Sequence, residues 1–373
     1  MMIKIIAITL VLGAISVVAG ELLQEKTSAT ASAALAPPQD VSGQKQKYSL
    51  ILKNRYDGEL NNSVVMAEKH LPYADYKIRN ELGEFQFMYA GTQMVIEAYS
   101  SMACRWPEFG AVYVFVNHAF YQKVTIKNGG VAQYLVQLPP GHKAITVVEG
   151  LNGRPRDQGD VEGTFLTGLY VDETFEKTPI APVQEKIVFL GDSILGGGTS
   201  GEPQLYSVPM LFRLENSRQV AVHGWGWARL FSFASDDEKV STTVQHFKTY
   251  FANVTGRKSL VLMIGTNDKG IDKTPAATFK TWYANLLDAV HAADAGIQVY
   301  CVSPLARGDG GPLLDEYREA IRGLCGPRAF TTYIDGKPIL ALPGDFTDGL
   351  HPTKAGYRKY KDAIYAVMYP DAI

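Results

Sequence analysis

The sequence predicts an all-β sandwich followed by an α/β unit whose parallel sheet is covered by helices on both sides. Three observations carry this. From about residue 46 to 180, short β-prone runs are separated by Gly, Pro and Asn, and helical spacing is missing. After residue 183, apolar runs of strand length alternate with longer helical stretches. One of those runs, Leu260-Val261-Leu262-Met263-Ile264, is apolar at every position, as a strand buried on both faces must be.

The elements follow in chain order. Lys4, the apolar run Ile5–Val18 and the small residues Ala19 and Gly20 have the pattern of a secretory signal peptide, taken as residues 1–20. An uncleaved N-terminal anchor is the other reading of that run, and no Cys follows it for lipid attachment. Residues 21–45 are rich in Ala, Ser, Thr, Gln and Pro, so they read as a flexible linker with order beginning near Tyr48. The sandwich, 46–180, is expected to hold strands at Phe85–Tyr89, Met94–Tyr99, Ala111–Val116, Gln122–Ile126, Ala132–Gln137 and Ala144–Glu149. In the α/β unit, 181–373, strand Ile187–Leu190 leads to a helix at Pro209–Leu214, Gln219–Val222 to Asp237–Phe251, and Ser259–Ile264 to Ala276–Ala293. Gln298–Val302, a helix near Leu313–Leu324, Thr331–Ile334 and a helix from Thr353 complete the series. Ligands of such sheets sit beyond the carboxyl ends of the strands.

Composition narrows the function only broadly. With 46% hydrophobic and 20% charged residues the chain is ordinary globular protein, long enough for two domains. A formal charge of -2 exerts no general pull on nucleic acid or anionic membrane, so neither is an expected partner once the signal is cleaved. Cys104, Cys301 and Cys325 are too few for a disulfide framework and fit no zinc spacing. Cys301 and Cys325 read equally as a pair in an oxidising compartment or as buried thiols.

Three clusters fall after three predicted strand ends. Gly191-Asp192-Ser193 follows Val188-Phe189-Leu190, where a Ser leaves the sheet edge at a strand-to-helix turn and the next helix N-terminus directs N–H groups toward developing negative charge. Gly265-Thr266-Asn267-Asp268 follows Ser259–Ile264, and an Asn amide there can donate to an oxyanion; an Asx-type turn is the plain alternative. Asp348-Gly349-Leu350-His351-Pro352 precedes the last helix. Asp348 is near enough in a bent loop to hold His351 Nδ1, which leaves Nε2 for Ser193. Asp335 and Asp345 are rival acids without that spacing.

Together the clusters resemble the first, third and fifth blocks of the SGNH hydrolase superfamily, the GDSL-like esterases. The resemblance covers residues 185–370 and implies a three-layer, flavodoxin-like α/β/α domain. It implies Ser193 as nucleophile, His351 as base, Asp348 as its acid partner, and an oxyanion hole from the Ser193 N–H, a Gly of the second block and Asn267. In His223-Gly224-Trp225-Gly226-Trp227-Ala228-Arg229 that Gly is taken as Gly226, with Gly224 the fallback; the family's usual Asn at the start of the block is missing. The preceding sandwich is similar to the jelly roll of carbohydrate esterase family two. The stretches that carry this likeness are Phe87-Met88-Tyr89-Ala90-Gly91-Thr92, Leu138-Pro139-Pro140-Gly141-His142-Lys143-Ala144-Ile145, Gly163-Thr164-Phe165-Leu166-Thr167-Gly168 and the Gly-Trp-Gly-Trp-Ala-Arg run.

That likeness implies deacetylation of O-acetylated oligo- or polysaccharides with no metal or organic cofactor. Trp225 and Trp227 are the expected sugar platform, against simple packing. Two other readings stand beside it: a lipase, lysophospholipase or arylesterase on the same fold, and a non-catalytic carbohydrate-binding protein.

Overall fold

The computed structural model describes residues 84–100, 111–149 apart from 118, 128 and 129, 164–171, 183–198, and 203–372 apart from 225, 226, 253 and 310, with short strands at 39–40, 49–53, 60–61, 65–66, 77–78 and 175–176. The expected signal peptide and most of the expected linker lie outside the described residues. Gln39–Asp40 form a short strand, which places β structure ahead of the expected onset near Tyr48. Composition sets only propensity, and pairing overrides it.

The β part comprises β1 (Ser49–Lys53), β2 (Glu84–Tyr89), β3 (Gln93–Ser100), β4 (Ala111–Val116), β5 (Ala119–Thr125), β6 (Gly130–Gln137), β7 (Lys143–Glu149) and β8 (Thr164–Val171). One antiparallel sheet runs β6-β3-β8-β1, the other β2-β7-β4-β5. Met94, Ile96 and Ala98 of β3 meet Val112 and Val114 of β4 and Ile145 and Val147 of β7 in the core between them. Two stretches singled out in the sequence meet here. Buried Lys143 donates through Nζ to Gly91 O and Gly141 O, both at 2.7 Å, and to Tyr89 O at 3.3 Å. An ammonium with three donors thus satisfies three turn carbonyls that a hydrophobic residue would leave unpaired.

The α/β part follows: β9 (Val183–Gly191), α1 (Pro203–Tyr206), α2 (Val208–Asn216), β10 (Val220–Gly224), α3 (Phe231–Ala234), α4 (Asp237–Phe251), β11 (Val254–Met263), α5 (Thr266–Gly270), α6 (Ala276–Ala293), β12 (Ile297–Val302), α7 (Asp315–Cys325), β13 (Thr331–Ile334) and α8 (Lys354–Met368). The five strands are parallel in the order β10-β9-β11-β12-β13. Alternate residues face opposite layers. Ile187 and Phe189 of β9 pack with α2 and α8, whereas Val188 and Leu190 pack with α4, α6 and α7. At the far end of β9, Glu185 holds Arg218 at 2.7 Å and the Tyr369 hydroxyl at 2.6 Å, which ties the exit of α8 to β9. Cys301 and Cys325 are buried thiols on this second side; Cys104 lies outside the described residues.

The two parts share one core. Ala111, Tyr113 and Phe115 point from β4 into the cluster that holds Phe189, Phe212 and Ile364. Arg213 of α2 lies over the Phe115 ring, 4.8 Å from its centroid. The intervening Val112 and Val114 face the sandwich interior, so β4 is buried on both sides. Phe115→Ala should therefore cost about 3–5 kcal/mol of stability, read from urea unfolding at unchanged slope.

Candidate active site

The site forms where the order of the sheet reverses. β9 pairs with β10 on one side, Gly191 opposite Gly224, and with β11 on the other, Gly191 opposite Met263. Loops leaving such a switch point diverge and open a crevice. A Cβ at Gly224 would fall 2.1 Å from Gly191 O, so only glycine lets these two strand ends come together.

Ser193 stands two residues beyond β9 and opens a turn, 193–198, rather than a helix. The sequence-based expectation of a helix N-terminus directly behind it is thus corrected. Gly196-Gly197-Gly198 supports helix poorly, Gly197 has φ +76°, and the next described helix starts at Pro203. Gly196 N–H donates to Asp192 O at 3.0 Å and Gly198 N–H to Ser193 O at 2.8 Å, which closes the turn.

His351 reaches this turn from the loop before α8. Its Nε2 lies 2.9 Å from Ser193 Oγ, and its Nδ1 lies 2.8 Å from Asp348 Oδ2. The carboxylate selects the Nδ1–H tautomer and leaves Nε2 to accept the Ser proton. Asp348 Oδ1 also accepts from the Leu350 N–H at 2.9 Å and the His351 N–H at 2.7 Å. Burial works against its charge, but these N–H groups and the imidazole outweigh it and hold the carboxyl below its ordinary range. Gly349 makes the bend: φ is +77°, and a Cβ there would sit 2.7 Å from Asp309 N. The rival acids are engaged elsewhere. Asp345 binds Lys359 at 2.6 Å and the Ala341 N–H at 2.8 Å, and Asp335 binds Arg322 at 3.2 Å.

Asn267, in the first turn of α5, donates through Nδ2 to Ala228 O at 3.0 Å and lies 3.5 Å from Asp192 Oδ2. It is therefore beside the Ser193 turn and tied to the loop after β10. Trp227 on that loop is 60% exposed and takes φ +68°, a left-handed conformation costly for a bulky residue. Trp225 and Gly226, the other expected residues of this loop, lie outside the described residues. His223, at the end of β10, is buried among Phe233, Phe247 and Tyr250; burial, then His246, pushes its pKa down to about 3, so it packs as a neutral ring.

Three participants gave no sequence signal of their own. Asp192 is buried, accepts from the Ile194 N–H at 2.9 Å, and burial pushes its carboxyl up to about 7. Asp268 accepts from the Leu230 and Phe231 N–H groups at 2.9 and 3.2 Å, and burial raises it to about 6. Tyr357, fully buried on α8, donates to Gly198 O at 3.0 Å and seats the 193–198 turn. Gly198 also faces His351. A Cβ there would lie 3.0 Å from His351 Cδ2 and 3.3 Å from Nε2, so it makes room for the imidazole.

Residues 189–359 match the GDSL-like Lipase/Acylhydrolase family. The chain carries a GDSL-like carboxylic ester hydrolase domain. The fold of the hydrolase overlaps a family two carbohydrate esterase from Clostridium thermocellum in complex with cellohexaose: TM-score 0.61, 16% identity, 84% of this chain and 98% of that one. A family two carbohydrate esterase from Cellvibrio japonicus gives TM-score 0.60, 15% identity and coverage of 87% and 98%. An acetyl xylan esterase from the rumen bacterium Butyrivibrio proteoclasticus gives TM-score 0.61, 11% identity and coverage of 90% and 99%. At such identities the likeness is one of fold, and it spans sandwich and α/β part together. Among curated proteins none matches by sequence.

Two outcomes are expected. Gly198→Ala should displace the imidazole and lower kcat roughly tenfold or more, while thermal denaturation shows a folded protein. Asp192 titrates near 7 in the folded chain against an ordinary 3.8, so its ionisation destabilises the fold increasingly as pH rises between those values. Asp192→Asn should thus raise Tm relative to the parent more at about pH 7 than at about pH 4.

Proposed function

We propose that the protein is a secreted serine esterase that removes O-acetyl groups from carbohydrates of the acetyl-xylan or glucomannan type. The observation that carries the reading is the continuous relay from Ser193 through His351 to Asp348, with links of 2.9 and 2.8 Å. In this reading the chain has a signal peptide at 1–20, a linker at 21–45, a sandwich at 46–180 and a catalytic domain at 181–373. Its N-terminal pattern supports export, and no helix among the described residues is long and apolar enough to cross a membrane. The carbohydrate class is supported by overlap of both parts with the carbohydrate esterases above. Exposed Trp227 beside the site supports it too, as an indole face suited to a sugar ring; Trp225 is proposed as its companion.

His351 takes the Ser193 proton as Oγ attacks the ester carbonyl, and Asp348 holds the imidazolium that forms. The tetrahedral oxyanion is held by the Ser193 N–H, the Gly226 N–H and the Asn267 amide. Asn267 Nδ2 carries two hydrogens; one serves Ala228, and the other has only the long contact to Asp192, which a substrate oxygen can replace. His351 then protonates the departing sugar hydroxyl, and water activated by the same ring releases acetate from Ser193. No step calls for a cofactor.

Ser193→Ala should abolish acetate release and labelling by a fluorophosphonate, and Asn267→Ala should slow turnover by about two to three orders of magnitude. Acetylated xylan, acetylated glucomannan, p-nitrophenyl acetate and long-chain esters, compared by kcat/KM, test the substrate class. A preference for acyl chains beyond about eight carbons would overturn the acetyl-sugar reading.

A further inference from the structure

The segment after β10 has no anchor of its own at its far end. α3 begins at Phe231, Leu230 stands at its N-cap position, and no side chain of the helix caps it. The carboxylate that meets those N–H groups comes from α5: Asp268 Oδ2 accepts from Leu230 at 2.9 Å and Oδ1 from Phe231 at 3.2 Å. Asp268 has no exposure to solvent. A buried carboxylate is costly unless its lone pairs are used, so this contact is a constraint on the segment. Just before it in the segment, Arg229 binds Asp272 at 2.6 Å, and Ala228 O receives the Asn267 amide at 3.0 Å. Four consecutive residues, 228–231, are thereby held by one short stretch, 267–272. Trp227, directly before them, keeps a left-handed backbone that a freely moving loop would relax.

We propose that Asp268 is a positioning residue of the ester hydrolase: by gripping Leu230 and Phe231 it fixes Ala228 O, which in turn fixes the amide of Asn267 for the oxyanion. This rests on the reading of Asn267 as an oxyanion donor given above. Asp268 touches no reacting atom and acts through the segment. Preorganised donors stabilise a transition state only while their direction is fixed beforehand, so a loosened amide lowers kcat more than it raises KM.

The experiment is a double-mutant cycle on the full chain with p-nitrophenyl acetate, using Asp268→Asn and Asn267→Ala alone and together. Fluorophosphonate end-point labelling counts folded sites, and all rates are expressed per labelled site. Asp268→Asn keeps one acceptor and turns an amide toward the other N–H. It should lower kcat roughly 10- to 100-fold with KM within about twofold, and cost almost nothing further in the Asn267→Ala background. Arg229→Met frees the partly exposed end of the same segment without touching the buried carboxylate, and covers the case in which Asp268→Asn does not fold. It should give a smaller drop in kcat that also vanishes beside Asn267→Ala. Unchanged kcat per labelled site in both single variants, or full additivity with Asn267→Ala, overturns the proposal. Parent enzyme that no fluorophosphonate labels, or Asn267→Ala at parental rate, instead overturns the reading of the site on which it rests.

Discussion

Everything at the site follows from where β9 is made to stop. Ile187 and Phe189 are committed to one helical layer and Val188 and Leu190 to the other, so the strand can neither slide nor turn over without exposing both cores. Its end at Gly191 is fixed in turn by Gly224 and Met263 on its two neighbours. Ser193 inherits that precision. A side chain two residues from so firmly held a point needs only a closed turn to be placed, and the Asp192 and Ser193 carbonyls supply it.

Much of this was legible in the residues. The long helices Asp237–Phe251 and Ala276–Ala293 appear as the sequence pattern predicts, because their apolar residues recur at helical spacing, and the strand Thr331–Ile334 appears where its β-branched and aromatic residues place it. Ser193, His351 and Asp348 were legible only jointly: each cluster alone reads equally as an ordinary turn, and their order after three strands, with the likeness to SGNH blocks, singled them out. What resisted is equally specific. The rough alternation of Ala111–Val116 hid the fact that β4 has no solvent face. Asp192 and Asp268 look like ordinary turn residues, and only packing reveals that their carboxyls are out of water. Tyr357 is one more aromatic on a helix until the fold brings its hydroxyl to Gly198.

The carboxylates near Ser193 differ by environment. Asp348 gathers N–H groups and an imidazole, and its negative form is favoured; it suits the support of a transient positive ring. Asp192 and Asp268 are pushed the other way by burial and lie near each other, with Asn267 between them. They serve geometry, gripping N–H groups of turns that water cannot reach. Placing the charge-supporting acid toward solvent and the shaping acids inside keeps the two tasks from interfering.

The two-sided burial of β4 governs how the chain can be divided. A strand that serves as floor for one layer stack and ceiling for another cannot be traded like a bead on a string. Were the sandwich cut away, the surface around Phe189, Phe212 and Ile364 would lose the Tyr113 and Phe115 side chains that keep it dry. The β-rich half is thus a structural wall of the enzyme, and a change on either face of β4 is felt in both halves.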